Sequence, residues 1–466
     1  MQSSQFTLIP AQIKLGDLFQ AIETVIPQQM ISSAISETKS QEKRTRSLPT
    51  HVVIALVIAL NFWSTDSIMD VLKNLVVGLT YQWIPQRYRW KIPSKSSISE
   101  ARQRVGSRVM TRLFEKVARP LATLETESAF LNGLRWMGID GSTLDVPDTE
   151  ENGRVFGYPG TRKGTHAAFP KVRLVILVEL GTHLITDALI SPYKIGERVR
   201  ARKLLRSVGE GMLLTWDRGL HSFKMVNEAL KQKCHILGRI PANVKFEVVK
   251  ELADGSYLSW IAPDRKSKKK GASRIQVRVI EYVIEEEGKE KVYRLITDLV
   301  DIALFPALLL ASEYHMRWEV ENTLDEFKTH LNGRKTPIRS KKPRLVVQEI
   351  YGWLLAHFTV RSLMLRASTS SGTSPLRLGF TGTLKVLRRA IPLFQAISDS
   401  DLPLFVLWLI EEIQEQKISP RQGRTNPRVV KKPRSKFKSR KRCHRGHGTQ
   451  LQPLTFAISQ PLSPVA

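Results

Sequence analysis

Two short apolar runs that each stop at an aspartate constrain the fold of this 466-residue chain more than any other feature. Residues 134–139 run into Asp140, and residues 212–216 run into Asp217. Short apolar runs bounded by turn-forming residues are typical of buried strands. Between residues 172 and 208 the pattern predicts two more strands as a hairpin, followed by a helix. The expected order is a strand ending in a carboxylate, two strands, a helix, and a second strand ending in a carboxylate.

A predicted helix further along the chain carries four polar residues, Tyr314, Arg317, Glu321 and Lys328. At about 100° per residue, these four fall within about 60° of one another on one helix face. Apolar residues occupy the neighbouring face, which predicts that the polar stripe lies along the edge of a cleft. The first and last of the four are about 21 Å apart at 1.5 Å per residue. The stripe therefore suits an extended phosphate backbone better than a single atom.

The chain carries a formal net charge of +29, with 72 Lys and Arg against 43 Asp and Glu. This excess predicts a polyanionic partner, and nucleic acid is favoured over a membrane surface. The longest apolar run, residues 52–63, is shorter than the roughly 20 residues of a membrane-spanning helix, so we expect a buried core helix. Only 2 cysteines and no secretory pattern in the first residues predict a cytoplasmic protein, associated with the nucleoid in a prokaryote.

The spacing of the four helix residues resembles a known signature. Tyr, two residues, Arg, three residues, Glu, six residues, Lys is the signature of DDE transposases of the insertion-element-four family, and all four positions match. The segments GIDGST around Asp140 and WDRGLHS around Asp217 resemble the two aspartate motifs of that family. The resemblance implies an α/β protein: an RNase H-like catalytic core interrupted by a β-rich insertion, with an N-terminal helical domain, C-terminal helices and a basic tail.

The resemblance also implies a metal-dependent enzyme. Asp140, Asp217 and Glu321 would hold two Mg²⁺ or Mn²⁺ ions, the cations that oxygen-only ligands favour. Two ions about 3.5–4 Å apart neutralise the attacking and leaving oxygens of a phosphodiester. Water would then cut the end of the element, and the released 3′-hydroxyl would attack target DNA.

The expected partner is double-stranded DNA, both the terminal inverted repeats of the element and the target, bound by a homodimer. The resemblance implies that Tyr314, Arg317 and Lys328 hold the phosphates of a distorted strand. An aromatic residue of the insertion would stack on a flipped base, and Trp260 is the candidate.

Changes in pattern along the chain predict seven regions. Short helices between residues 46 and 125 suggest a helix-turn-helix-like DNA reader that uses Arg102 and Arg104, and a packing domain with a solvated basic face is the alternative. The regions are a helical extension and linker at 1–45, the helical domain at 46–125, the first part of the core at 126–233, the β-rich insertion at 234–300, the second part of the core at 301–366, C-terminal helices at 367–416 and a basic tail at 417–466.

Several alternatives stay open at this point. Asp325, one turn after Glu321, is the nearest rival ligand, and three further aspartates lie near the predicted core, at Asp145, Asp148 and Asp187. A transposase-derived protein that binds DNA without cutting it would explain the charge. Another RNase H-like nuclease, such as a resolvase, would explain the carboxylates but not the complete helix signature.

Overall fold

The computed structural model describes residues 20–43, 48–83, 93–160, 166–241, 243–286, 289–333, 338–398 and 400–419. The start of the predicted N-terminal extension and nearly all of the predicted basic tail lie outside these residues. The α-helices are α1 Gln28–Glu37, α2 Thr50–Phe62, α3 Ile68–Trp83, α4 Lys95–Val105, α5 Arg108–Val117, α6 Glu150–Phe156, α7 Glu197–Leu204, α8 Phe223–Lys231, α9 Arg265–Lys269, α10 Ala307–Tyr314, α11 Trp318–Asp325, α12 Pro343–Ser371, α13 Phe380–Ala396 and α14 Leu402–Gln414.

The described strands belong to one large mixed sheet. They are β1 Phe130–Leu131, β2 Leu134–Asp145, β3 Lys171–Glu179, β4 Leu184–Pro192, β5 Met212–Trp216, β6 His235–Arg239, β7 Lys250–Glu251, β8 Tyr257–Ile261, β9 Ile275–Glu286 and β10 Lys289–Thr297. The strand order is β4-β3-β2-β5-β6-β10-β9-β8-β7, and β1 pairs with β2.

The first five strands of this order form the predicted RNase H-like core. β2, β3 and β4 are consecutive antiparallel neighbours, whereas β5 and β6 pair in parallel with β2 and β5. The β-rich segment that follows continues the same sheet, because β10 pairs antiparallel with β6. The predicted insertion is therefore joined to the core sheet by backbone hydrogen bonds between β10 and β6.

Apolar side chains cover both faces of the core sheet. Along β3, Val172, Leu174, Ile176 and Val178 join a cluster that includes the helices of both termini. Val175 and Leu177 of the same strand point the other way, toward α7 and α8. This alternation is the period of two that a strand buried on both faces requires.

The apolar helix α2 lies at the centre of the helical layer. All but its second residue are buried, and it packs against the long helix α12. Gly352 of α12 allows the close approach, since a Cβ there would lie 2.7 Å from the carbonyl oxygen of Val57. The predicted core helix at 52–63 is confirmed. Among the helices that the structure describes, none combines the length and apolarity needed to cross a membrane.

Two local predictions are wrong. β2 does not end at Asp140 but continues to Asp145, because β3 pairs with it from Met137 to Asp145. The basic segment after Asp264 forms a short helix, α9, capped by Asp264 at its N-terminus. The polar-stripe helix is also not continuous: a 3₁₀ turn, His315–Arg317, separates α10 from α11, and a π-helical turn, Glu326–Leu331, follows α11.

Candidate catalytic site

The predicted aspartates lie together where β5 ends beside β2. The parallel register pairs Gly138 with Thr215, so Asp140 and Asp217, each two residues further on, stand opposite one another. β5 stops at Trp216, and the edge of β2 beyond that point has no neighbouring strand on this side among the described residues. This gap, which we call the notch, places two carboxylates that are distant in the sequence at one edge of the sheet.

Asp140 is half-buried on β2. Its Oδ1 accepts a hydrogen bond of 2.7 Å from the backbone N–H of Gly141. Burial raises the pKa of Asp140 to about 7, and the nearby charges of Glu197 and Asp217 act in the same direction, while the Gly141 N–H and Arg317 oppose it. Asp140 therefore binds a proton near neutral pH in the absence of added positive charge.

Arg317 brings the third predicted carboxylate to the notch. Its Nη1 lies 3.6 Å from Asp140 Oδ2, and its Nη2 donates a hydrogen bond of 2.7 Å to Glu321 Oε1. The Glu321 side chain is 43% exposed, whereas that of Arg317 is 12% exposed. One guanidinium thus lies between two carboxylates that arrive from a strand and from a helix.

The other two signature residues contact the same strands. The Tyr314 hydroxyl donates to the carbonyl oxygen of Trp216, 3.1 Å away and next to Asp217. Lys328 Nζ donates to Ser142 Oγ at 2.8 Å, two residues after Asp140. Despite the two helix breaks, Tyr314 therefore lies against β5 and Lys328 against β2.

Sequence patterns did not predict the charged side chains that hold α11 and the turn after it in place. His183 Nε2 lies 2.6 Å from Glu319 and its Nδ1 lies 3.1 Å from Glu326, while Arg361 Nε donates to Glu326 at 2.8 Å. Burial alone would raise the pKa of Glu326, yet the charges of Arg361 and His183 hold it well below its ordinary value. These contacts tie the helix that carries Glu321 to the β3–β4 turn and to α12. No local motif signals them, since their members are far apart in the chain.

The structure does not support three of the predicted DNA contacts as the residues now stand. Arg102 is 5% exposed, and its guanidinium donates to Gln348 and Ser340 inside the helical layer. Arg104 is exposed but also donates to the carbonyl of Leu48. Tyr314 is 3% exposed, with its hydroxyl held by β5. In each case a backbone or side-chain acceptor of the protein takes the place of a phosphate.

The rival aspartates are engaged away from the notch. Asp145 pairs with Lys171, Asp148 accepts from Tyr158, and Asp187 accepts from Arg206 and Ser207. Asp325 lies 3.3 Å from His330, and its side chain is 60% exposed. Glu321 is therefore the acidic residue of α11 that shares a partner with Asp140.

Among the tryptophans that the structure describes, Trp260 and Trp318 present exposed rings. Trp260 on β8 is 41% exposed, as a stacking partner for a base would need to be. Trp318 follows Arg317 directly and is 59% exposed. An exposed tryptophan beside the carboxylates is a second candidate for stacking.

The donor set of the notch fits a hard divalent cation. Asp140, Asp217 and Glu321 offer only carboxylate oxygens, and Arg317 already supplies positive charge between two of them. Within the described part of the chain, no three His, Cys, Asp or Glu side chains are arranged to hold a metal ion as they stand. At the notch, the Arg317 guanidinium lies between Asp140 and Glu321.

Comparison with known protein families agrees with this geometry. Residues 17–115 match the model for the insertion element 4 transposase N-terminal region, and residues 137–359 match the transposase DDE domain. The chain belongs to the insertion element 4 family of DDE transposases. The family, the α/β fold with a helical N-terminal region, and the enzyme class predicted from the sequence are thereby confirmed. The transposase is accordingly a metal-dependent enzyme of an insertion sequence.

Individual relatives of the transposase extend over most of its length. The transposase InsG for insertion sequence element IS4 of Escherichia coli (strain K12) is 29% identical over 406 residues, which cover 86% of this chain and 90% of the relative. Among solved structures, the piggyBac transposase synaptic complex with hairpin DNA aligns with a TM-score of 0.42 and 12% identity, covering 90% of this chain and 88% of that chain.

Proposed function

We propose that this transposase moves its insertion sequence by cut-and-paste transposition, cutting DNA at terminal inverted repeats and joining the released 3′-ends to target DNA. The observation that carries the proposal is the position of Arg317, 3.6 Å from Asp140 and 2.7 Å from Glu321. Two carboxylates that are far apart in the sequence share one positive charge, and Asp217 stands beside them at the end of β5. Such an arrangement suits a reaction that builds up negative charge on phosphate oxygens.

We propose two Mg²⁺ or Mn²⁺ ions as the cofactor, with Asp140, Asp217 and Glu321 as their ligands. When bound, such ions activate an attacking water or 3′-hydroxyl and neutralise the leaving oxygen. Without them the carboxylates repel one another, and Arg317 offsets part of that repulsion. Arg317 must turn away from Glu321 before Glu321 can bind a cation. A phosphate oxygen of the DNA would then be its new partner, since guanidinium groups bind phosphate well.

For the DNA contacts, we propose that Arg317 and Lys328 bind phosphates on either side of the notch. Lys328 already reaches Ser142 on the strand of Asp140, so a short side-chain movement brings it to a strand lying across β2. Tyr314 keeps the helix seated on β5, and it contacts DNA only if that hydrogen bond opens. A flipped base stacks on Trp260, with Trp318 as the competing partner.

The assembly and the location are part of the same proposal. We propose a homodimer on paired element ends, acting on nucleoid DNA in the cytoplasm. The division of the chain at residues 45, 125, 233, 300, 366 and 416 is likewise proposed. Limited proteolysis of the free protein and sedimentation of the DNA complex test these points.

The central experiment incubates purified protein with duplexes bearing the terminal repeats that flank its gene, in Mg²⁺ or Mn²⁺. We expect strand cleavage that Asp217→Ala and Glu321→Ala abolish. Asp325→Ala is the matched control, since it removes an exposed carboxylate one turn from Glu321 and should leave cleavage intact. Salt-sensitive binding without cleavage would instead favour the non-catalytic DNA-binding alternative.

A second experiment assigns the stacking residue. A duplex with 2-aminopurine at the position expected to flip should lose fluorescence when an indole stacks on it. Trp260→Ala should restore the fluorescence, and Trp318→Ala should not. The reverse result would move the assignment to Trp318.

A further inference from the structure

The helix that carries Glu321 starts from α10, which directly follows the insertion. α10, the 3₁₀ turn and α11 succeed one another without a gap from Ala307 to Asp325. Glu321 therefore lies about 21 Å from the start of α10, at 1.5 Å per residue. Over that length, a tilt of about 3° at the start of α10 moves Glu321 by about 1 Å. Whatever holds α10 also sets the position of the proposed metal ligand.

The N-terminus of α10 is capped by the insertion and not by its own sequence. Its N-cap residue is Pro306, which makes no side-chain cap hydrogen bond. Asp254, in the turn between β7 and β8, fills this role, because its Oδ2 accepts a hydrogen bond of 2.8 Å from the backbone N–H of Ala307. A carboxylate at a helix N-terminus satisfies a free N–H and interacts favourably with the helix dipole. The cap thus joins residues that are 53 positions apart in the sequence.

Arg278 of β9 extends this anchor to the connector, residues 298–306, between β10 and α10. Its side chain is fully buried, and its Nη2 donates to Asp254. Its Nη1 donates to two carbonyl oxygens of the connector, that of Leu299 at 3.0 Å and that of Phe305 at 2.7 Å. Its Nε donates to Ser256 Oγ at 2.8 Å. A buried guanidinium is tolerated only when such partners satisfy it, so these contacts fix the connector to the insertion.

The insertion also holds the other end of α10. The Tyr282 hydroxyl, on β9, lies 3.2 Å from Nε2 of His315, the first residue of the 3₁₀ turn. The Tyr282 ring stacks on that of Tyr293 on β10, with the centroids 5.4 Å apart. Because His315 is two residues before Arg317, this contact lies between α10 and the residues of the notch. The insertion therefore contacts the helix at both ends of α10.

An ordinary explanation exists for part of this network. Asp254 precedes Gly255, whose φ is 82°, and an aspartate in this position commonly forms a turn. That role uses Oδ1, which accepts from the backbone N–H and the hydroxyl of Ser256. Burial alone would raise the pKa of this carboxyl, yet its hydrogen bonds and the charge of Arg278 hold it below its ordinary value. The turn explains only one oxygen of a charged group, since Oδ2 is bound by Arg278 and Ala307 outside the turn.

We propose that Asp254 and Tyr282 are positioning residues for DNA cleavage, through which the insertion sets where α11 presents Glu321 to the notch. The inference rests on the proposed function, in which Glu321 is a metal ligand. It gives the insertion a role besides that of carrying the stacking residue Trp260. Loss of an anchor leaves every side chain of the notch in place but lets α11 shift. A shift of about 1 Å can lower a rate by about 100-fold.

The test measures DNA cleavage by the full chain at saturating terminal-repeat duplex and Mg²⁺, together with DNA affinity and thermal unfolding. Amide hydrogen exchange in the peptide spanning α10 and α11 reports whether the helix has loosened. Asp254→Ala should lower the cleavage rate by about 10- to 100-fold and speed exchange in α10, with DNA affinity unchanged. Asp254→Asn keeps an oxygen that can accept from Ala307, so it should recover part of the rate. It also keeps the test valid if Asp254→Ala does not fold.

Two matched controls separate positioning from general damage to the insertion. Asp264→Ala removes the N-terminal cap of α9, a helix of the same insertion, and should cleave DNA as the wild type does. Tyr282→Phe removes the hydroxyl that reaches His315 but keeps the stacked ring, so it should slow cleavage. Tyr257→Phe removes a hydroxyl that donates to Glu281 at 2.6 Å within the insertion, and it should leave cleavage unchanged.

Two results would overturn the positioning role. One is cleavage by Asp254→Ala at the wild-type rate. The other is an equal loss of rate in Asp264→Ala, because a loss shared by both variants would reflect weakening of the insertion as a whole. Failure of the proposed function is distinguishable, since wild-type cleavage that Asp217→Ala does not affect would overturn the catalytic site itself.

Discussion

Replacing Asp140 by asparagine should stabilise the metal-free protein at alkaline pH while abolishing catalysis. Burial is the main reason that the pKa of Asp140 rises to about 7, from 3.8 for an exposed aspartate. Between these values the folded chain holds a proton on Asp140 that the unfolded chain has lost. The free energy of unfolding therefore falls as pH rises from about 4 to about 7, and it levels off above that. An asparagine side chain has no such proton to lose, so the Asp140→Asn variant lacks this decline.

The magnitude follows from the two pKa values. Each pH unit corresponds to about 1.36 kcal/mol, so the whole interval amounts to about 4 kcal/mol. Integrating the two titrations from about pH 5 to about pH 8 assigns about 2.5 kcal/mol to that window. This is an upper bound, because Arg317 can move closer to the charged form of Asp140.

Urea unfolding in the presence of a chelator measures the difference. The free energy of unfolding of the wild type, minus that of Asp140→Asn, should become more negative by about 1–2.5 kcal/mol from about pH 5 to about pH 8. Saturating Mg²⁺ should remove the trend, since the cation replaces the proton. Asp325→Asn is the control for losing a carboxylate from the same region. A wild-type-minus-variant difference that stays constant with pH would refute the reasoning.

Three further predictions concern the packing that holds the site. Glu326→Ala should lower the free energy of unfolding, measured by chemical denaturation, by about 3–5 kcal/mol, because it leaves the buried charge of Arg361 uncompensated. DNA cleavage should fall as well. Glu411→Ala, on an exposed surface of α14, is the control. Gly238→Ala should lower the free energy of unfolding by about 1–3 kcal/mol and reduce cleavage, since the new Cβ would lie 2.3 Å from the Trp216 ring. Gly209→Ala is the control, because a Cβ there meets nothing nearer than 3.9 Å. Arg102→Gln should lower stability without changing the salt dependence of DNA binding, and a shallower salt slope would restore Arg102 as a phosphate contact.

Sequence patterns predicted most of the elements around the site because those elements are buried. The apolar runs before Asp140 and Asp217 form adjacent parallel strands, and the apolar helix at 52–63 is at the centre of the helical layer. Periodicity reports burial directly, so such elements can be read from one sequence. The predicted end of β2 and the predicted continuity of the helix that carries Glu321 were wrong. Partner strands and tertiary contacts decide where an element stops.

The separate chemical groups of the site were also visible in the sequence, whereas their neighbours were not. The spacing of Tyr314, Arg317, Glu321 and Lys328 is a property of one helix. Glu197 has no motif around it, and its carboxylate lies against Gly141, where a Cβ would leave no room for it. The burial of Arg102 was equally hidden, because a helix can present a basic residue either to solvent or to another helix.

The amino-acid sequence alone determined which residues could do the chemistry and the order of the elements that carry them. It did so because hydrophobic periodicity and local spacing are encoded over short stretches of chain. The tertiary structure alone decided which charges meet: Arg317 between Asp140 and Glu321, His183 between Glu319 and Glu326, and Glu197 against Gly141. Electrostatic interaction depends on distances of a few ångströms, and for these residues the strand order and the packing of helices on both sheet faces set those distances.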